Sequence, residues 1–185
     1  MAKGSGSQRL SWLIALAILA VLGLVYWNAS RRVGLRPSPS IAERRIGDPS
    51  LYPPRNIPGA VALAVTQTNI HETICISGYT RGVRPPSSVT NRIKRERFEE
   101  EKLPGTPSDY ELDHLIPLEL GGCPDCLTNL WMEPWSSPGA REKDAVENYL
   151  HREVCNDQMS LGEAQKLIAG DWFAVYKSLQ SEKAP

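Results

Sequence analysis

An excess of charge is the first thing this chain lacks. Its 21 Lys and Arg balance 21 Asp and Glu, for a formal net charge of zero. A whole-molecule field that would draw the protein to nucleic acid is excluded, so any such attraction must come from a local patch. Cysteine is also sparse, at four in 185 residues. That is too few for a small domain held together mainly by disulfides. Internal repeats are missing, which argues against a solenoid. Long apolar runs are missing as well, with one exception. Leu10 to Trp27 (LSWLIALAILAVLGLVYW) contains 18 residues and no charge.

At about 1.5 Å per residue, a helix of that length nearly spans a bilayer core. Trp12, Tyr26 and Trp27 lie near its ends, where interfacial aromatics are favoured. A cleaved signal peptide is the alternative, but the run is long for one and a Trp stands close to the best cut. The reading is an uncleaved signal anchor over residues 10–27, behind a tail of residues 1–9. It implies a single-pass protein of a bacterial inner membrane with its domain outside the cytoplasm. Residues 28–59, rich in Pro, Ser and Arg, read as a linker. The domain is expected over residues 60–185.

Within it, Ala60 to Gln67 is apolar and fits strand or helix. Glu72 to Ser77 (ETICIS) alternates and reads as a strand. Ser88 to Lys102 has a helical pattern with Ile93 and Phe98 as buried points. Tyr110 to Pro117 and Thr128 to Met132 read as two strands around the turn Gly121-Gly122. Ala140 to Cys155 reads as a helix with apolar points at Ala145, Val146, Tyr149, Leu150 and Val154. Ser160-Leu-Gly-Glu163 is a capping box that starts another.

The chemistry concentrates in YELDHLIPLELGGCPDCLTNLWMEP, Tyr110 to Pro134. Hydrolysis of a phosphodiester needs a base, a group that aims it, and a cation that neutralises the phosphate and the leaving oxygen. His114 is suited to act as base because its pKa lies near neutrality. Asn129 on the neighbouring strand is placed to fix its tautomer. Asp113 is a hard oxygen ligand, though strand alternation points it away from His114. Glu147 and His151 are four apart on the following helix and share a face that a packed helix would bring to a metal. Arg81, Arg84, Arg92, Lys94 and Arg95 could track phosphates, or form a solvated helix balanced by Glu96 and Glu99 to Glu101. Trp131, Trp135 and Trp172 read as core, and His71 as structural.

The string DHLIPLELGG…TNL followed by a helix resembles the His-Asn-His nucleases of the ββα-metal superfamily, over about 45 residues, Tyr110 to Cys155. The longer pattern also looks like bacterial exported proteins that carry this module. The resemblance implies an α+β fold, with a hairpin-and-helix core, further helices and a preceding membrane helix. It implies an endonuclease acting on DNA or RNA, with His114 as general base and Asn129 orienting it. Asp113 would bind a divalent metal, Mg²⁺ first, with Mn²⁺ or Zn²⁺ as alternatives. No small-molecule cofactor is expected. Ala140 stands where many relatives have Asn, so Glu147 or His151 must supply the third ligand, or the metal site is impaired. The rival expectation is a non-catalytic envelope protein that keeps the fold for binding or structure. For the cysteines, two disulfides, Cys75 with Cys155 and Cys123 with Cys126, fit an exported domain best. A zinc site of all four and a redox-active CxxC are the alternatives.

Overall fold

The computed structural model describes residues 51–183. The expected tail and membrane anchor, and most of the expected linker, lie outside the described residues. Among the described residues, no helix is long and apolar enough to cross a membrane.

The domain mixes helix with a two-stranded antiparallel sheet. In chain order the elements are α1 (Tyr79–Val83), α2 (Ser87–Glu100), β1 (Tyr110–His114), β2 (Leu130–Pro134), α3 (Ala140–Cys155) and α4 (Leu161–Lys183). Short 3₁₀ turns at Gln67–Glu72, Pro107–Asp109 and Leu118–Leu120 link them. A lone hairpin is barely stable in water and needs a packed partner. Here α3 and α4 pack on each other and, with the Leu118–Leu120 turn, enclose the core.

α3 forms where the sequence expects it. Val146, Leu150 and Val154 recur every four residues and are fully buried against α4. The Glu142 carboxylate reaches back to accept from the Gly139 N–H at 2.9 Å and from the Ser137 hydroxyl at 2.6 Å, which caps the first turn. α4 buries Ala164, Ile168 and Trp172, and breaks at Asp171, whose φ of −141° is non-helical. There the Asp171 carboxylate accepts from the Ala174 N–H and the Tyr52 hydroxyl and restarts the helix. α2 is of another kind. It buries Ile93 alone and carries the exposed pair Arg92–Glu96 and, at its end, the partly buried pair Arg97–Glu101.

Several expectations change. Glu72 to Ser77 is not a strand. Its backbone closes on itself, with the Cys75 N–H donating to Ile70 O at 3.0 Å and the Ile76 N–H to Thr73 O at 3.1 Å. Alternation would bury Ile74 and Ile76 together, but Ile74 is 3% exposed and Ile76 is 50% exposed. The pair that is buried, Ile70 and Ile74, has helical spacing. The stretch Ala60–Gln67 makes only an isolated bridge, Val61 to Gly122, before turning. The packed unit also reaches ahead of Gly59: Leu51 and Ile57 are buried, and the Trp172 indole N–H donates to Leu51 O at 2.9 Å.

Candidate functional site

The connection from β1 to β2 is knitted by one side chain. Asn129 is fully buried. Its carbonyl oxygen accepts from the Ile116 N–H at 2.9 Å and from the Ala60 N–H at 3.3 Å. Its amide donates to Ile116 O at 2.9 Å and to Cys123 O at 3.0 Å. The loop can close this tightly because of its glycines. A Cβ on Gly122 would lie 1.8 Å from Ile116 O, and Gly121 adopts a φ of +72°. Cys123 and Cys126 then form a disulfide that fixes Pro124 between them.

This loop, and not Asn129 directly, orients His114. The His114 Nε2 lies 2.9 Å from Pro124 O. A carbonyl oxygen only accepts, so Nε2 carries the proton and the neutral ring keeps Nδ1 as an acceptor. Nδ1 makes no hydrogen bond among the described residues. Burial pushes the His114 pKa below its usual 6.5, against the Pro124 bond and the Asp113 charge that favour protonation. The ring is therefore neutral at pH 7. Asn129 makes no bond to the His114 ring, contrary to expectation; its amide holds Cys123 O, one residue before the Pro124 carbonyl that Nε2 meets.

His114 lines a groove of about 310 Å³ between the hairpin and α2. Arg84, Thr90, Lys94, Glu111 and Trp135 share it. Among the predicted basic residues, Arg84 and Lys94 meet there. Lys94 also donates to Tyr110 O at 2.6 Å. Arg92 is paired with Glu96 at 3.1 Å, and Arg81 and Arg95 are exposed on α1 and α2 away from the groove lining. Trp131 and Trp172 are core as expected, at 1% and 0% exposed. Trp135 is not. It is 41% exposed and stands on the groove rim, because it follows β2 where the chain leaves the sheet. Glu111 was also missed. Burial first, then the charge of Asp113, lifts its carboxyl to about 7.

Asp113 lies on the other side of β1. The register pairs Glu111 with Glu133 and Asp113 with Trp131, so Asp113 and Glu133 project toward one face. α3 covers that face and delivers Lys143, which is fully buried. The ammonium donates to Asp113 Oδ2 at 2.6 Å, to His114 O at 2.9 Å and to Glu147 Oε1 at 2.5 Å. Glu133 lies beside them, 1% exposed, with its carboxyl against that of Asp113 and no donor from another group.

One ammonium balances one buried carboxylate, and the cluster holds three carboxyls. Burial drives every member toward its neutral form. Lys143 overcomes this for Asp113 and holds it below the usual carboxylate range. In return Asp113, Glu147 and Glu133 hold Lys143 charged against its own burial. Burial and the Asp113 charge push Glu133 well up, and Glu147 to about 8 in spite of Lys143. The arrangement has Asp113 paired with Lys143 and the two glutamates displaced toward their neutral forms.

The expected metal ligands are therefore only partly brought together. Asp113 and Glu147 meet, with Lys143 between them. His151 lies two turns further along α3, with Nε2 3.0 Å from Ile74 O and 3.4 Å from Cys155 Sγ. A divalent ion does not fit between Asp113 and Glu147, because its ligand distances of about 2.0–2.6 Å would place it on Nζ. The groups of His, Cys and carboxylate close enough to share an ion are Cys75, His151 and Cys155, and Cys123, Asp125 and Cys126. In both, the sulfurs are engaged in disulfides, Cys75–Cys155 and Cys123–Cys126, as the exported reading expects. No protein-family model matches the chain, and neither the curated proteins nor the solved structures yield a significant match.

Proposed function

We propose that this domain is a nuclease that cleaves phosphodiester bonds of DNA or RNA, built on the hairpin-and-helix plan of the His-Asn-His enzymes and tethered to a bacterial inner membrane. The observation that carries the reading is His114: a neutral imidazole, its Nε2 proton committed to Pro124, lining a groove with Arg84 and Lys94. The two disulfides support a site outside the cytoplasm.

The chemistry uses groups of this chain. Arg84 and Lys94 neutralise the phosphate, and the Trp135 ring offers a face to a base. Nδ1 of His114 takes the proton of the attacking water or hydroxyl as the new P–O bond forms. Solvent water in the open groove returns a proton to the oxygen that leaves. No step passes through a metal ion.

The test is cleavage of plasmid DNA and of RNA by the full chain in detergent. His114→Ala should lower the rate by about 10²–10⁴-fold, the usual contribution of a general base. The rate should rise with pH through the lowered His114 pKa, below 6.5. Cleavage unchanged in His114→Ala would contradict the assignment. The satisfied Lys143 cluster favours a second reading, a non-catalytic envelope domain that keeps the fold. A folded protein that cleaves neither polymer would establish it.

A further inference from the structure

The carboxylate cluster under β1 has the make-up of a cation site. Asp113 arrives from β1, Glu133 from β2 and Glu147 from α3. Glu133 is 1% exposed and no donor of a neighbouring group reaches its oxygens, so its polar neighbour is the Asp113 carboxyl, which is unusual for a buried acid. The same volume already holds a cation. A lysine ammonium has three donors. All three are used, by Asp113, His114 O and Glu147, at 2.6, 2.9 and 2.5 Å. Nζ is thus saturated.

We infer that the Lys143 ammonium is the resident cation of this site, that it closes the wild-type protein to divalent metal, and that shortening Lys143 opens a divalent-ion site lined by Asp113, Glu133 and Glu147. Three points carry this. The first is exclusion: an ion binding Asp113 and Glu147 would sit where Nζ sits, since its ligand distances differ from the observed contacts by about half an ångström or less. The second is the cost of leaving. To make room, Lys143 would have to give up three charge-assisted bonds while staying in a pocket where it is 0% exposed. An unpaired buried ammonium costs several kcal/mol. The third is charge. Lys143 brings one positive charge to the three carboxyls, bonded to Asp113 and Glu147 and beside Glu133. A neutral side chain at position 143 would leave three buried carboxyls with no cation at all. Protons or a divalent ion must then make up the difference.

The inference concerns the site of the proposed nuclease and rests on that reading only for its corollary, that cleavage needs no divalent ion.

The test is Mn²⁺ binding to the full chain in detergent, read from the free-ion spin-resonance signal, together with thermal melts in Mn²⁺ and in EDTA. Wild type should bind no Mn²⁺ dependent on Asp113, and its melting should be the same in both. Lys143→Ala should bind one Mn²⁺ and melt higher with the ion than in EDTA. The double variant Lys143→Ala/Asp113→Asn should lose that binding. Lys143→Met, which fills the space without charge, should bind none. Stoichiometric Mn²⁺ binding by wild type that Asp113→Asn removes would overturn the inference. So would a folded Lys143→Ala that ignores the ion. If Lys143→Ala fails to fold even in Mn²⁺, the opened site does not form and that part is overturned, while the wild-type titration still decides the first. Absence of cleavage under every condition would overturn the nuclease reading and leave these binding results unaffected.

Discussion

Asp113 and His114 are neighbours in sequence, yet the two sides of β1 put them in opposite circumstances. Asp113 is locked to a fully buried lysine in a cluster whose charges are settled internally. His114 has one ring nitrogen tied to Pro124 and the other left as an acceptor beside a groove lined by cations. One side spends its polar groups on holding α3 to the hairpin. The other keeps a polar group uncommitted. The alternation of a strand produces this separation, and it argues for reactivity on the His114 side and stability on the Asp113 side.

The comparison is broken most severely at Lys143. Lys143→Met removes the ammonium that pairs with Asp113, so urea unfolding should show a loss of about 3–5 kcal/mol, as for other buried pairs stripped of one partner. A loss below 1 kcal/mol would mean that the cluster contributes little to holding α3 to the sheet.

Asn129→Ala comes next and affects both sides. It leaves the Ile116 N–H and O and the Cys123 O without their partner, so a loss of about 2–3 kcal/mol is expected, within the range for several buried groups left unsatisfied. Cleavage should fall with it, because Pro124 O is no longer held against Nε2. Unchanged cleavage in the folded variant would remove Asn129 from the positioning of His114.

Replacing both Cys123 and Cys126 by Ser should cost least. The closed loop is so short that the chain-entropy effect is below about 2 kcal/mol, against about 4.5 for the Cys75–Cys155 link of sequence separation 80. The variant should unfold near wild type yet cleave more slowly, which separates aim from stability.

The stability of wild type should also carry the mark of Glu111. Its folded pKa, about 7, lies above the usual 4.5, so its contribution is full below pH 4.5 and is lost as pH rises through 7. Glu111→Gln should flatten that part of the pH profile of unfolding. An identical slope in the variant would show that Glu111 is not the group responsible.

Much of this was legible in the sequence because it is local. The bounds of α3, read as Ala140 to Cys155, are those of the structure, since its buried residues repeat every four positions and Glu142 caps its start. The pairing of the four cysteines also agrees with the structure. What was not legible depends on packing between distant segments. Lys143 reads as one more charge on a helix, four before Glu147, until α3 lies across the hairpin and its ammonium meets an aspartate 30 residues away. Trp135 reads as core until the chain leaves the sheet beneath it. Glu72–Ser77 has the alternation of a strand but no neighbouring strand to pair with, and local turns take its backbone bonds.

The most direct measurement is the initial rate of RNA and plasmid cleavage by the full chain in Mg²⁺ and in EDTA, with His114→Ala alongside. The account predicts equal rates in the two buffers and loss of both in His114→Ala. Cleavage that requires Mg²⁺ and stops in EDTA would contradict it, because the cation of the site would then be a metal ion and not Lys143.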